Sequence, residues 1–165
     1  MVIRRAAEGD IDAHLAQRIA IRSYVERWEP DTNPPGGRYT REYYDVWVTA
    51  EDQFVVLDRG EIAGSVQLVH HAYDALSSAM VGYWIGEEFA RKGLATRAVR
   101  EVLDVAFLER GFHRVEAGTD VANVPSQRVL ERNGFTRVGT LRAHIKIAGE
   151  WRDHYLYETL VDDPR

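Results

Sequence analysis

The chain has 165 residues, of which 45% are hydrophobic and 28% charged, so a single domain spanning residues 1–165 is expected. Its formal net charge of −5 and the absence of cysteine argue against nucleic-acid binding and exclude disulfides, zinc-thiolate sites and a cysteine nucleophile. No apolar run is long enough to cross a membrane and no signal peptide is apparent. These features predict a cytoplasmic protein without a membrane or nucleic-acid partner.

The N-terminal third is predicted to be a short strand followed by two helices. Asp10 is suited to cap a first helix that runs to about Trp28, with Ile11, Leu15 and Ile19 on its apolar face. A stretch rich in proline and glycine at 30–38 predicts a surface loop. Thr40 is expected to cap the second helix.

From Gln53 onward the hydrophobic pattern becomes that of strands. Two β-rich runs meet at Asp58–Glu61, where Gly60 can adopt the positive φ of a tight hairpin. The third run, 77–86, is apolar on both faces, which is typical of a strand near the centre of a sheet. A glycine inside this strand, Gly82, predicts a bulge or a close backbone approach.

The C-terminal half alternates helices and strands. A helix over 94–110 precedes a strand near 114–119, a short helix near 126–132 and two long strands, 135–147 and 151–161. The element order is βααβββαβαββ. It predicts an α/β (α+β) fold with a mixed sheet of about seven strands flanked by about four helices.

The segment GYWIGEEFARKGLATRAV places a helix start directly after the central strand. The first backbone N–H groups of a helix have no intrahelical acceptor and lie at the positive end of its dipole, so they can bind a pyrophosphate. Gly93 and Ala95 would let phosphates approach the backbone, and Arg91 and Lys92 add positive charge. Neither a P-loop nor a dinucleotide fingerprint is present, and a basic helix start without a ligand remains the alternative.

Together with RVEAGTDVANVPSQRVLERNGF and GTLR, this segment resembles the GNAT superfamily of acyl-CoA-dependent N-acetyltransferases, specifically its RimJ/RimL-like branch, over roughly residues 2–160. The superfamily motif Q/R-x-x-G-x-G/A falls on residues 90–95, where Gly93 and Ala95 match and Ala90 departs. The resemblance implies a β-bulge and a V-shaped splay in the sheet, and acetyl-CoA as cosubstrate. The residues expected to bind it are Trp84, Ile85, Arg91, Lys92, Gly93, Leu94, Ala95, Thr96 and Asn123.

Acetyl transfer requires a neutral amine and favours protonation of the departing thiolate. Many superfamily members have a tyrosine for the second task at the position held here by Leu130. The RimJ/RimL-like branch instead aligns a serine with Ser126, which we expect to act as the acid, with Asn123 contacting the pantetheine or thiol. The same two residues also suit a turn and a helix N-cap.

Glu116 is the expected catalytic base, on a strand that the resemblance places facing the slot. Glu87 and Glu88 are alternatives. His70 and His71 lie at a strand end, which is more typical of structural histidines. The histidines lack metal-binding spacing, so no metal is expected.

The acceptor site is expected between the N-terminal helices and the last hairpin, near Arg142 and Asp153, with the loop 34–37 closing over it. The acceptor would be a protein or peptide N-terminal α-amine or a small-molecule amine. A non-catalytic acyl-CoA sensor is the alternative, motivated by Ala90 and Leu130. Both a monomer and a homodimer are compatible with the sequence.

Overall fold

The computed structural model describes residues 1–32 and 37–164. These residues form a seven-stranded sheet, confirming the expected mixed α/β architecture. The strands are β1 (Ile3–Arg5), β2 (Gln53–Asp58), β3 (Glu61–Ala72), β4 (Ser78–Ile85), β5 (Arg114–Asp120), β6 (Thr136–Ile147) and β7 (Glu150–Leu160). Their order across the sheet is β1-β2-β3-β4-β5-β7-β6.

The α-helices of the described residues are α1 (Ile11–Ala20), α2 (Arg22–Val25), α3 (Arg41–Trp47), α4 (Leu94–Asp104) and α5 (Val124–Glu131). A π-helical turn at Val105–Glu109 extends α4. No helix in the described part of the chain is long and apolar enough to span a membrane.

The first predicted helix differs from the structure in two respects. It is interrupted at Ile21 between α1 and α2. Asp10 makes no side-chain cap, because its carboxylate instead accepts hydrogen bonds from Arg4 Nη1 and Nη2 at 2.6 and 2.7 Å.

The buried face of α1 is also different from the predicted one. Ile11, His14 and Arg18 are buried, whereas Ile19 is 51% exposed. The predicted face is therefore rotated relative to the buried one, and two polar side chains point toward the interior. Thr40, by contrast, caps α3 as predicted, since its Oγ1 accepts the N–H of Tyr43 at 3.3 Å.

The hairpin between β2 and β3 is confirmed, with φ of +92° at Gly60. The bulge expected at Gly82 is not there, because Gly82 pairs regularly with Gln67. The register between β3 and β4 shifts instead between Val69 and Ala72. A Cβ at residue 82 would lie 3.3 Å from Gln67 Nε2, so the glycine leaves room for the Gln67 side chain.

The sheet opens between β4 and β5. These strands pair in parallel only from Ser78 to Met80 on β4 and from Arg114 to Glu116 on β5. Beyond that point β5 keeps its antiparallel pairing with β7 as far as Asp120 opposite His154, while β4 stays paired with β3. The strands therefore diverge, and the resulting gap is the V-shaped splay.

Helices cover both faces of the sheet. On one face, α4 buries Leu94, Val99 and Val102 in the main hydrophobic core. On the other face, Ile11 of α1 packs with Tyr44 and Trp47 of α3. Because the splay separates β4 from β5, it connects the α4 face with the α1–α3 face.

Candidate active site

The first turn of α4 carries backbone donors that the helix does not use. The helix begins after Gly93, which has φ +75° and makes no side-chain cap. The N–H of Arg97 donates to Gly93 O at 3.1 Å, so the amides of Leu94, Ala95 and Thr96 precede the first intrahelical bond. A Cβ added at Gly93 would meet no atom within 4 Å. This phosphate cradle, residues 93–96, is therefore open to an anion.

The basic residues at this turn have different surroundings. Arg91 lines the adjoining cavity. Lys92 Nζ lies 2.9 Å from Asp58 Oδ2 and 5.0 Å from the centre of the Phe89 ring. Because its ammonium is directed to the β2–β3 hairpin, Lys92 does not line the cavity.

A cavity of about 560 Å³ extends from the cradle through the splay to the α1–α3 face. This volume is within the range of small-molecule and cofactor sites. The predicted site residues that line it are Trp84, Ile85, Arg91, Gly93, Leu94, Ala95, Thr96, Asn123 and Ser126.

The free edge of β4 supplies a further donor. The N–H of Gly86 donates to Ala63 O at 2.8 Å, so it points toward β3. Because successive N–H groups alternate along a strand, the amides of Ile85 and Tyr83 point to the opposite edge, into the splay. The amide of Trp84 points toward β3, and its contribution to the cavity is the indole ring.

Ser126 and Asn123 meet at the start of α5. Asn123 Oδ1 accepts the N–H of Ser126 at 3.2 Å, which caps the helix. The Ser126 hydroxyl takes no part in that cap and lies 2.9 Å from the Tyr83 hydroxyl. The structural and functional interpretations of Ser126 are therefore compatible, because they use different atoms.

Tyr83 is a site residue to which the sequence analysis assigned no role in the reaction. Its hydroxyl donates to Ser126 O at 3.2 Å in addition to its contact with Ser126 Oγ. Burial raises the pKa of Tyr83, so the phenol is neutral at pH 7. The only sequence signal was its place beside Gly82 on the central strand.

Glu116 does not face the cavity. It pairs with Met80 where β4 and β5 are still joined, and its carboxylate lies 3.9 Å from Arg114 Nη1. The β5 residues that line the cavity, 117–120, come after this last pair. The placement does not support Glu116 as the base, because the closed end of the splay separates it from the cavity.

The other acidic candidates also lie elsewhere. Glu88 accepts a hydrogen bond from Gln17 Nε2 at 2.6 Å, and neither it nor Glu87 lines the cavity. The carboxylates that line it, within the described ranges, belong to Glu29 and Asp120. Asp120 is 4% exposed, accepts the N–H of Ala122 at 2.7 Å and lies 3.0 Å from Arg152 Nη1.

The remaining sequence candidates are not brought to the site. His71 lies 3.7 Å from Asp52 Oδ2, outside the cavity, as does His70. Asp153 accepts the N–H of Ala143 at 2.7 Å, which joins β6 to β7, and Arg142 does not line the cavity. Residues 34–36 of the proposed closing loop lie outside the described residues.

His14 is enclosed by aromatic rings on the α1–α3 face. Its ring stacks on Trp47 at 4.7 Å and meets Tyr44 and Trp84 edge-on at 4.8 and 5.1 Å. Burial lowers the pKa of His14 to about 3, so the ring is neutral at pH 7. Neither ring nitrogen has a hydrogen-bond partner, although His14 lines the cavity.

Arg18, one turn further along α1, is 4% exposed and also lines the cavity. Its Nη2 forms an ion pair with Glu29, and its guanidinium lies 4.7 Å from the centre of the Trp84 ring. Burial lowers the pKa of Arg18. A signal for both residues was their spacing from Ile11, which places them on one helical face.

Comparisons with known proteins agree with this geometry. The family model for the acetyltransferase (GNAT) domain matches residues 1–136. A probable N-acetyltransferase, YjcK of Bacillus subtilis, is 37% identical over 147 residues, which are 89% of this chain and 72% of that protein. The [ribosomal protein uS5]-alanine N-acetyltransferase of Escherichia coli is 29% identical over 106 residues, covering 64% of this chain and 55% of that protein.

Among solved structures, Mycobacterium smegmatis RimJ in complex with CoA-disulfide is similar to this chain with a TM-score of 0.87 and 29% identity, covering 96% of this chain and 80% of that one. The family match and the cradle beside a splayed sheet lead to the same assignment. The chain belongs to the GNAT family, in its RimJ/RimL-like branch, and is an acetyl-CoA-dependent N-acetyltransferase.

Proposed function

We propose that this enzyme transfers the acetyl group of acetyl-CoA directly to a primary amine, either the α-amine of a protein or peptide N-terminus or a small-molecule amine. The observation that supports this most is the continuity of the cavity. It connects the free amides of the cradle on the α4 face with a buried polar wall, formed by His14 and Arg18, on the α1–α3 face. Two substrates can therefore approach one point from opposite faces of the sheet.

The residues present fit acetyl-CoA. The amides of Leu94, Ala95 and Thr96 would hold the pyrophosphate, and the open space at Gly93 leaves room for it. The Ile85 amide on the free edge of β4 would donate to the thioester carbonyl, an interaction that strengthens as negative charge develops on that oxygen. When bound, acetyl-CoA supplies the acetyl group as an activated thioester.

Proton handling would be shared between Ser126 and Asp120. The Ser126 hydroxyl, held by Tyr83, would donate a hydrogen bond to the departing thiolate, while Asp120 takes the proton that the amine loses. Asp120 replaces Glu116 as our candidate base, because its carboxylate is the one that ends β5 inside the cavity. A weak carboxylate base suits an α-amine, whose ordinary pKa of about 8 is well below that of a lysine.

The test is thiol release from acetyl-CoA with a panel of α-amino and aliphatic amines, together with calorimetric titration of CoA. We expect CoA binding and turnover with at least one class of primary amine. CoA binding without turnover on any amine would contradict the proposal and favour the acyl-CoA sensor.

A further inference from the structure

The cavity is lined by a buried cation, Arg18, whose hydrogen-bond donors are not all used. Arg18 Nη2 pairs with Glu29, whereas Arg18 Nη1 is buried without a hydrogen-bond partner. Both carboxylate oxygens of Glu29 are already engaged, because the one that does not pair with Arg18 accepts a hydrogen bond from the Tyr39 hydroxyl at 3.0 Å. A buried unpaired donor is costly, so a ligand oxygen at Nη1 would remove an unfavourable interaction.

Arg18 is located where an acceptor would approach. The cradle lies on the α4 face, while Arg18 lies on the α1–α3 face, over the Trp84 ring at 4.7 Å. The residue after Trp84 is Ile85, whose amide points into the splay. An acceptor seated against Arg18 would thus lie across β4 from the cradle.

The local charge favours an acceptor that carries an oxygen. Arg18 and Arg38 line this end of the cavity together with Glu29. The other carboxylate of the cavity, Asp120, is already neutralised by Arg152, so positive charge is in excess. The unpartnered ring nitrogens of His14 add a neutral donor and acceptor. A polyamine would bring more positive charge and no hydrogen-bond acceptor for Arg18.

We propose that Arg18 determines acceptor specificity and that its Nη1 binds an oxygen, carboxylate or carbonyl, carried by the amine that is acetylated. This inference rests on the proposed function and narrows the acceptor to amines that bear such an oxygen. A free amino acid and the first residue of a peptide share this chemistry. A carboxylate is expected to bind more strongly than a carbonyl, because its hydrogen bond to the guanidinium is between two charges.

The experiment compares alanine, alaninamide, an alanyl dipeptide and 1,4-diaminobutane as acceptors. The key variant is Arg18→Met/Glu29→Gln, which removes both charges and leaves no carboxylate buried alone. We expect it to lower kcat/KM for the oxygen-bearing acceptors by about 10- to 100-fold, and to change that for diaminobutane much less. Arg18→Lys, which keeps the charge but loses the fork of donors, should give a smaller loss.

The matched control is Arg22→Met/Glu26→Gln. This pair is joined at 2.6 Å and its side chains are 51% and 46% exposed, so the same two charges are removed one turn away at the surface. We expect kcat/KM to stay within about twofold. Thermal unfolding of each variant confirms that it is folded.

A second measurement does not depend on turnover. Binding of N-acetylalanine and N-acetyl-1,4-diaminobutane to the protein saturated with CoA is followed by calorimetry. We expect N-acetylalanine to bind more tightly and to lose about 10- to 100-fold in affinity in Arg18→Met/Glu29→Gln.

The outcomes separate the inference from the proposed function. A wild-type preference for diaminobutane, or equal losses for all acceptors in the double variant, would overturn the role of Arg18 and leave acetyl transfer intact. No turnover with any amine, but Arg18-dependent binding of N-acetylalanine, would refute transfer and support the oxygen site. Binding of both products independent of Arg18 would overturn the inference.

Discussion

The two ends of the cavity are built in different ways. On the α4 face, the cradle consists of backbone amides after Gly93. On the α1–α3 face, the wall consists of long side chains, chiefly His14 and Arg18, brought together with Trp84 and Glu29 from other elements. The first end depends on the path of the main chain, and the second depends on tertiary packing.

This difference indicates how the family's chemistry can be kept while its acceptor changes. Binding of a pyrophosphate by backbone amides is insensitive to most side-chain substitutions that preserve the turn. This is consistent with Ala90, which departs from the superfamily motif. The side-chain wall has no such tolerance, because each charge there is desolvated and needs its partner. We therefore expect acceptor specificity to depend on α1 and acetyl-CoA affinity on the start of α4.

The largest expected effect is that of Gly93→Glu, which tests the backbone end. The new carboxylate would occupy the open space beside the cradle and repel the phosphates, so we expect CoA affinity to fall by at least about 100-fold. Gly93→Ala is the control. Both variants have the strain of a side chain at φ +75°, about 1–2 kcal/mol, but only glutamate adds bulk and charge.

Calorimetric titration of CoA gives the affinities, and denaturant unfolding gives the stabilities of the two variants. Equal CoA affinity for the glutamate and alanine variants would show that the phosphates do not lie at this turn.

The second prediction concerns the α1–α3 end of the cavity and is tested by the pH dependence of the free energy of unfolding. Burial lowers the pKa of His14 to about 3 from an ordinary value near 6.5. Between these values the unfolded chain binds a proton that the folded protein does not. The free energy of unfolding is therefore highest above about pH 6.5 and decreases as the pH falls toward 3. The decrease due to His14 is about 2 kcal/mol between pH 7 and pH 5.

Urea unfolding at pH 7 and pH 5 measures this loss. His14→Phe keeps an aromatic ring against Trp47 but cannot titrate, so its free energy of unfolding should fall by about 2 kcal/mol less over the same interval. Parallel losses in the two proteins would mean that His14 is protonated in the folded state.

The contact of Tyr83 with Ser126 lies between the two ends of the cavity. Removing it should have a smaller effect than the two changes above. We expect Ser126→Ala to lower kcat about tenfold, with KM for acetyl-CoA unchanged. The helix cap should survive, because Asn123 accepts from the Ser126 amide and not from its hydroxyl. Tyr83→Phe should cost about the same alone and nothing further in Ser126→Ala.

Steady-state kinetics of the two single variants and the double variant measure this coupling. Additive losses would show that Tyr83 and Ser126 act separately, and full turnover in Ser126→Ala would leave the hydroxyl without a role in catalysis.

The same contrast explains what the sequence could predict. The cradle and the Gly60 hairpin are local features, since each depends on a few consecutive residues, and both are present. The positions of Glu116 and Asp120 depend on where β4 separates from β5, which neither strand's pattern reveals. His14 and Arg18 were missed because the amphipathic pattern assigned the interior to apolar residues, whereas their aromatic and acidic partners come from distant segments.

The smallest expected effect distinguishes backbone from side chain within the cradle itself. Lys92 was predicted to bind acetyl-CoA, but its ammonium is paired with Asp58 at 2.9 Å, where the lysine side chain is 50% exposed. Lys92 does not line the cavity. Lys92→Ala should therefore change CoA affinity by no more than about twofold, whereas Arg91→Ala should weaken it about tenfold, because Arg91 lines the cavity and can hydrogen-bond a phosphate. Equal losses in calorimetric titrations would show that Lys92 leaves Asp58 for the phosphates, and binding at the α4 face would then depend on side chains as well as on the main chain.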